Sequence, residues 1–322
     1  MKRKAYVYFA TLIVSVLAAA PGVHAQTYPS KSIRYVVPFP PGGITDMMAR
    51  TVGQKISDAW KQPVVVDNRP GGNALIGADM VAKAAPDGYT WLAMTITHAV
   101  NATMFPQAPY SFTKDLTAVS VLGSLPMVVV VPQSLPVKTM ADLTALGKTR
   151  TLNGGSSGNG TPQHLALELY RQLAGINAQH VPFKGGAPSM ISLIGGYLDL
   201  IVTGLPECIP HIKSGKLRAL AITSTSRHPF IPDIPTTAET GMPSLTVTSW
   251  TGLMVPHGTP RHVIARIQSD VANVLRQPET AERVRDQGFD IVANPPEEAQ
   301  HFMAAEVERW GKLVREANIR AE

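Results

Sequence analysis

The stretch that most constrains this chain is Val36-Val37-Pro38-Phe39-Pro40-Pro41-Gly42-Gly43-Ile44-Thr45-Asp46, a short apolar strand running through a proline- and glycine-rich turn into a helix. The apolar run at residues 33–37 predicts a strand, and the prolines behind it stop its pairing. Past the turn, Ile44, Met48, Val52 and Ile56 recur at helical spacing, so one helix face is buried. A strand that ends in glycines at a helix N-terminus leaves several backbone N–H groups aimed at one spot, where the helix dipole adds positive partial charge. Such a spot attracts anions. On this string alone, an ordinary strand-to-helix turn is the alternative.

The rest of the chain repeats the alternation. Residues 63–68 predict a second buried strand closing in Arg69-Pro70-Gly71-Gly72, residues 75–85 an apolar helix stopped by Pro86-Asp87-Gly88, and residues 89–95 a third strand. Thr97 and His98 then place polar side chains at that strand's C-terminal end. Short strands alternating with helices predict a parallel, doubly wound α/β sheet whose ligand crevice lies beyond the carboxyl ends of its strands. A long extended run at 116–131, with Pro126 inside it, predicts a strand leaving one domain and entering another; residues 245–255, containing Trp250, predict the strand that returns. The domains are then 26–124 plus 251–322, and 125–250. Helical patterns at 263–275, 281–287 and 297–317 pack on the first domain, and two crossing segments make a hinge that suits closure around a solute.

A second informative stretch is Asn153-Gly154-Gly155-Ser156-Ser157-Gly158-Asn159-Gly160-Thr161-Pro162-Gln163-His164. Thr161 suits an N-cap and Pro162 the first helical position, with Leu165, Leu169 and Leu173 as the buried face. This Gly/Ser loop predicts a second donor cluster: backbone N–H groups, the Ser156 and Ser157 hydroxyls and the His164 ring. A solvent-exposed loop is the alternative. Downstream, Val181-Pro182-Phe183-Lys184-Gly185-Gly186 echoes the opening stretch, followed by strands at 198–202 and 217–222 around a short helix at 210–215, and by a proline-rich connection at 228–243.

The N-terminus carries Lys2-Arg3-Lys4, an apolar run at 5–20 and the small-residue end Val23-His24-Ala25, which reads as a secretory signal peptide over residues 1–25, cleaved after Ala25. That places the mature protein in the periplasm; the apolar run is short of the ~20 residues a membrane span needs. The net charge of +6 falls to +3 without the three leader cations, and no basic cluster with interleaved aromatics points to nucleic acid. Cys208 is the single cysteine, which excludes an intramolecular disulfide, and reads as a small buried apolar residue rather than a reactive thiol. The nine histidines show no metal-ligand spacing, so no metal or other cofactor is expected.

Taken together, VPFPPGGITD from Val37, QPVVVDNRPGG from Gln62, AKAAPDGYT from Ala82, SSGNGT from Ser156, HVPFKGGAP from His180, GKLRALAITS from Gly215 and the Glu306, Arg309, Trp310 set resemble the extracytoplasmic solute-binding proteins of tripartite tricarboxylate transporters, the Bug family. The resemblance spans essentially the whole mature chain. It implies a type II, Venus-flytrap periplasmic-binding-protein fold of two α/β domains closing on a small organic anion: a mono-, di- or tricarboxylate, or an aromatic acid. It implies a monomer that serves integral-membrane permease subunits. In this family both loops grip a carboxylate with main-chain amides, hydroxyls and water, which carries over to Phe39, Gly42, Gly43, Thr45 and Asp46, and to Ser156, Ser157, Gly160, Thr161 and His164. Asp46 has two readings beside an anion: acceptor for a donor on the solute or a bridging water, or stabiliser of its own helix start. Thr203-Gly204 and Gly154 stand where family members often carry larger side chains, which predicts a roomier pocket; Thr97, His98 and Thr203 are the candidate specificity contacts.

Two rival readings fit the same residues less well. Gly154-Gly155-Ser156-Ser157-Gly158 formally fits the G-x-S-x-G of a serine esterase, with Asp199 or Asp233 and His257 as nominal partners, although residues 148–152 make a poor buried strand ahead of it. The other is a sensory receptor that docks, when loaded, on a membrane sensor instead of a permease.

Overall fold

The computed structural model describes residues 28–320; the leader assigned to residues 1–25 lies outside them. The chain divides into two units, Met1–Ser30 and Lys31–Glu322, and the helices and strands of the described residues all belong to the second. Strand β1 (Ile33–Val37) runs through the Pro/Gly turn into α1 (Ile44–Trp60), then β2 (Val64–Asn68), α2 (Leu75–Ala82), β3 (Thr90–Thr95) and α3 (Ile96–Met104). A single 17-residue strand, β4 (Leu116–Pro132), leads to α4 (Met140–Thr149), β5 (Leu152–Ser156), α5 (Pro162–Ala174), β6 (Ala178–Pro182), α6 (Gly186–Ile194), β7 (Leu200–Gly204), α7 (Leu205–Lys213) and β8 (Leu217–Ile222). The return is β9 (Thr248–Pro256), followed by α8 (Arg261–Arg276), α9 (Pro278–Asp286), β10 (Asp290–Ile291) and α10 (Pro296–Glu316).

The strands order as β2-β1-β3-β9-β4-β7-β5-β6, with β8 and β10 also on β4. Parallel pairing between these strands falls in two groups, β2-β1-β3 and β6-β5-β7, as expected of two doubly wound α/β units joined by crossing strands. Between them, β4 and β9 run antiparallel to each other and to their neighbours. The reason lies in the crossing strands: residues 116–126 of β4 pair with β9, and residues 127–132 pair with β7 and β8. One strand therefore serves both groups. No helix among the described residues is long and apolar enough to cross a membrane.

Several local expectations shift for identifiable reasons. β2 is an edge strand, with Val65 53% exposed, not a buried one, because β1 covers only one of its sides. Helix α3 begins directly at the end of β3, where an extended strand end was expected. Thr95 caps it, and His98 Nδ1 accepts the Thr95 amide N–H in return, a capping box built with histidine. In α5 the buried positions are Gln163 to Glu168 and Tyr170, while Leu173 lies exposed, so the Leu165, Leu169, Leu173 face does not hold. Helix α7 starts at Leu205, five residues before the predicted start, and tolerates Pro210 inside it.

The core that carries these loops is apolar and aromatic. Trp91 on β3 meets Tyr35 edge-on at 5.5 Å and Trp60 at 5.8 Å, and Trp91 and Tyr35 are fully buried. Burying side chains of this size stabilises the fold by about 1.5–3 kcal/mol each. The C-terminal helix α10 packs on α3 and β4, and its end reaches α5 through Gln172 Nε2 donating to Glu316 at 3.2 Å.

Candidate functional site

The first loop is held by Asp46. Gly42 adopts φ +86°, where a side chain would strain the backbone, and its N–H donates to Asp46 Oδ2 at 2.9 Å. Arg50 Nε donates to the same oxygen at 2.9 Å, and Asn68 Nδ2 bridges Asp46 Oδ1 (2.9 Å) and the Phe39 carbonyl (3.1 Å). The carboxylate is thus turned inward and tied to the end of β2. Gly43 is the N-cap of α1 and no side chain caps the helix, while Ile44 and Thr45 form its first turn.

Burial alone would raise the Asp46 carboxyl, but Arg50, the Gly42 amide and Asn68 outweigh it and hold the group below the usual carboxylate range. A depressed folded-state pKa contributes stability that is present above the unfolded value and lost as pH falls through the folded one. Wild type should therefore lose stability below about pH 4, whereas Asp46→Asn should be weaker at neutral pH and flatter with pH. Urea midpoints at neutral and acid pH check this; parallel profiles for the two proteins would count against the role of the carboxylate.

The end of β3 faces the first loop. His98 is fully buried, with its ring 6.2 Å from that of Phe39 and stacked on Phe112 at 5.9 Å. Burial lowers its pKa to about 4, and Nδ1 accepts from the Thr95 amide at 3.1 Å. The ring is neutral, and its Nε2 is a buried nitrogen without a hydrogen-bond partner among the described residues. Thr97 is 1% exposed, its amide directed to Thr95 Oγ1. A cavity of about 510 Å³ lies between α3 and residues 105–115; of the predicted site residues, only His98 lines it.

The second loop follows β5. Gly154, Gly155 and Ser156 are strand rather than loop, and the space beside both glycines is taken: a Cβ on Gly154 would lie 2.5 Å from Leu167, and one on Gly155 2.4 Å from Leu198. The roomier pocket expected at Gly154 is therefore filled by neighbouring leucines. Ser156 Oγ lies 2.6 Å from His180 Nε2 and accepts the Gly158 N–H at 3.1 Å. His164 stacks on His180 with ring centroids 3.6 Å apart, and its Nδ1 accepts the Gly160 N–H at 3.2 Å. Burial and the neighbouring His180 lower the His164 pKa to about 3, so the ring is neutral: Nδ1 is an acceptor, and the ring's one N–H is on Nε2. Thr161 Oγ1 donates to the Gly158 carbonyl at 2.7 Å, and the Ser157 carbonyl accepts from the Gly185 amide at 3.2 Å. Ser156, Thr161 and His164 shape the loop from within.

Two close approaches bring these loops to one region. A Cβ on Gly160, whose φ is +68°, would lie 2.9 Å from Met104 Cε and 3.2 Å from Val100 on α3, the helix of His98. A Cβ on Gly204, at the end of β7, would lie 3.3 Å from Ile44 at the start of α1. Beside it, Thr203 is 1% exposed, and its Oγ1 accepts Gln163 Nε2 at 2.9 Å and donates to Glu207. Sequence reasoning missed Gln163, His180 and Glu207. A signal existed for Glu207, an acidic residue one turn after a strand end, and for His180, which opens the HVPFKGG string.

The nominal esterase partners are engaged elsewhere: Asp199 accepts from Arg150 Nη1 at 3.0 Å and the Asn153 amide at 2.7 Å, and His257 Nδ1 lies 3.5 Å from Thr117 Oγ1. Of residues 148–152, only Leu152 is in a strand; β5 runs from there into the G-x-S-x-G string as far as Ser156, and the helix begins only at Pro162, well after Ser156. Cys208 is buried, its thiol donating to the Leu205 carbonyl at 3.3 Å and pushed up to about 12 by burial.

Residues 48–319 match the family model described as "Tripartite tricarboxylate transporter family receptor". Protein BugT of Bordetella pertussis is 36% identical over 313 residues, 96% of each chain. Among solved structures, Rpa4515 of R. palustris with adipate is 34% identical with a TM-score of 0.84, covering 91% of this chain and 99% of its own. Periplasmic binding protein BugD is 28% identical with a TM-score of 0.81, covering 92% and 100%.

Proposed function

This chain belongs to the family of tripartite tricarboxylate transporter receptors and has the α/β fold of periplasmic binding proteins, and on that premise we propose that it is a periplasmic receptor that captures a small organic carboxylate and hands it to an integral-membrane permease. Residues 26–124 with 251–322 form one lobe and 125–250 the other, hinged where β4 and β9 cross. The leader at 1–25 directs export, and the mature protein acts as a monomer without a cofactor. It carries the solute unchanged.

The observation that carries this reading is that two glycine-bearing loops at helix starts both adjoin α3, the first through Phe39 beside His98 and the second through Gly160 against Val100 and Met104. Adipate in a relative of the same fold agrees with an anion there. In this reading Phe39, Gly42, Gly43, Thr45, Ser157 and Gly160 lie next to the solute, Thr97, His98 and Thr203 tune its choice, and Asp46, Ser156, Thr161 and His164 set the loop geometry. Hydrogen bonds to a charged group contribute roughly 1.5–3 kcal/mol each, so a few amides set against the cost of ordering give a hold that is firm and reversible.

Native mass spectrometry of the mature protein, followed by a thermal-shift screen of mono-, di- and tricarboxylates and aromatic acids, tests it. A true solute at a hundredfold excess over its Kd should stabilise the protein by about 2.7 kcal/mol. Failure of every carboxylate to move the melting curve would overturn the reading.

A further inference from the structure

Glu207 lies in the first turn of α7, three residues past the end of β7. Its Oε2 accepts from Gln163 Nε2 at 3.1 Å and from the Thr203 hydroxyl, and its Oε1 stands 3.2 Å from where a Cβ on Gly186 would be. Gln163 belongs to the first turn of α5 and Gly186 is the first residue of α6. One carboxylate therefore sits where three helices begin, each of which brings partial positive charge. Burial raises its pKa above the usual carboxylate value, and the two hydrogen bonds offset only part of that rise. With Nε2 of Gln163 turned to Glu207, the other end of that amide, Oε1, is a buried acceptor without a partner among the described residues. The corner thus offers two acceptors, and through Gly204 it adjoins Ile44 and the first loop.

We propose that Glu207 is a specificity-determining residue: it fills the anion-favouring corner of the second lobe with the protein's own carboxylate, so that the preferred solute is a monocarboxylate whose far end is a hydrogen-bond donor, an amino or hydroxyl group. The inference rests on the carboxylate reading above. A second carboxylate at that end would face Glu207 directly, and like charges brought together discriminate strongly against such a guest. An ammonium or hydroxyl would satisfy both Glu207 and Gln163 Oε1.

Titration calorimetry near neutral pH on the mature chain, with length-matched sets of a diacid, an ω-amino acid and an ω-hydroxy acid, tests this directly. Wild type should bind a donor-ended member at least about tenfold more tightly than the diacid of equal length, and Glu207→Gln, which keeps the shape and one acceptor, should erase or invert that order. Diacids bound more tightly by wild type, or an order unchanged in Glu207→Gln, would overturn the assignment and leave the receptor reading intact. No binding of any member, together with a silent carboxylate screen, would sink both. The wild-type order alone decides the matter should the variant fold poorly.

Discussion

Gly43→Leu should lose at least about a hundredfold in solute affinity while unfolding within about 1 kcal/mol of wild type. Gly43 sits at φ −80° and ψ 170°, a conformation open to every residue, and an added Cβ would meet only the Pro40 carbonyl at 3.9 Å. The folded chain therefore accommodates the side chain. What it does not accommodate is a guest: Gly43 is the uncapped N-cap of α1, and a branched side chain there fills the space over the helix-start amides. Losing two charge-assisted hydrogen bonds at roughly 1.5–3 kcal/mol each exceeds the ~2.7 kcal/mol that a hundredfold represents. The contrast is Gly42, whose φ of +86° makes any substitution strain the loop itself. Calorimetry for binding and a melting curve for stability separate the two effects; retained affinity in Gly43→Leu would move the site away from the first loop.

Much of the fold was legible because its signals are local. The mainly apolar runs at Ile33–Val37 and Leu217–Ile222 became strands with the expected bounds, and the prolines and glycines after Val37 marked where the strand ends and α1 begins. What escaped depends on neighbours distant in sequence. β5 reads poorly as a strand since Gly154 and Gly155 have weak strand propensity, yet those glycines are what Leu167 and Leu198 require in order to pack against it. The exposure of β2 follows from its place at the edge of the sheet, which composition does not encode. The site divides in the same way. Both helix starts could be read from glycine, proline and threonine, whereas the contact of Gln163 with the neighbouring Thr203 and Glu207 depends on β5 lying beside β7 in the sheet. His164 illustrates the limit at one residue: its position was legible, but its neutral state follows from burial against His180, which the sequence places sixteen residues away.

Glu306→Ala should cost roughly 3 kcal/mol of stability, the largest loss expected from any single side chain outside the apolar core. Glu306 is 7% exposed, and its Oε2 accepts two indole N–H groups, Trp250 Nε1 at 2.6 Å and Trp310 Nε1 at 2.8 Å. Trp250 lies on β9 and Trp310 on α10, so a single oxygen joins a crossing strand to the C-terminal helix. Arg309 lies 3.9 Å from the other carboxylate oxygen and stacks over the Trp310 ring at 4.5 Å, and Phe302 meets Trp250 edge-on at 5.3 Å. Alanine would leave two buried donors unpaired, each at about 1–3 kcal/mol, and a cation without its nearby partner. A cavity of about 220 Å³, lined by Trp250, Phe302, Glu306 and Arg309, adjoins the cluster. Water entering there can satisfy part of the deficit, which places the loss in the lower part of the roughly 2–6 kcal/mol that two unpaired donors span. Glu306→Gln keeps an acceptor for the indoles and should cost about 1 kcal/mol, since only the charge is removed. Denaturant midpoints at constant m read both values. A loss below about 1 kcal/mol in Glu306→Ala, or equal losses in the two variants, would show that the paired indoles do not anchor β9 to α10.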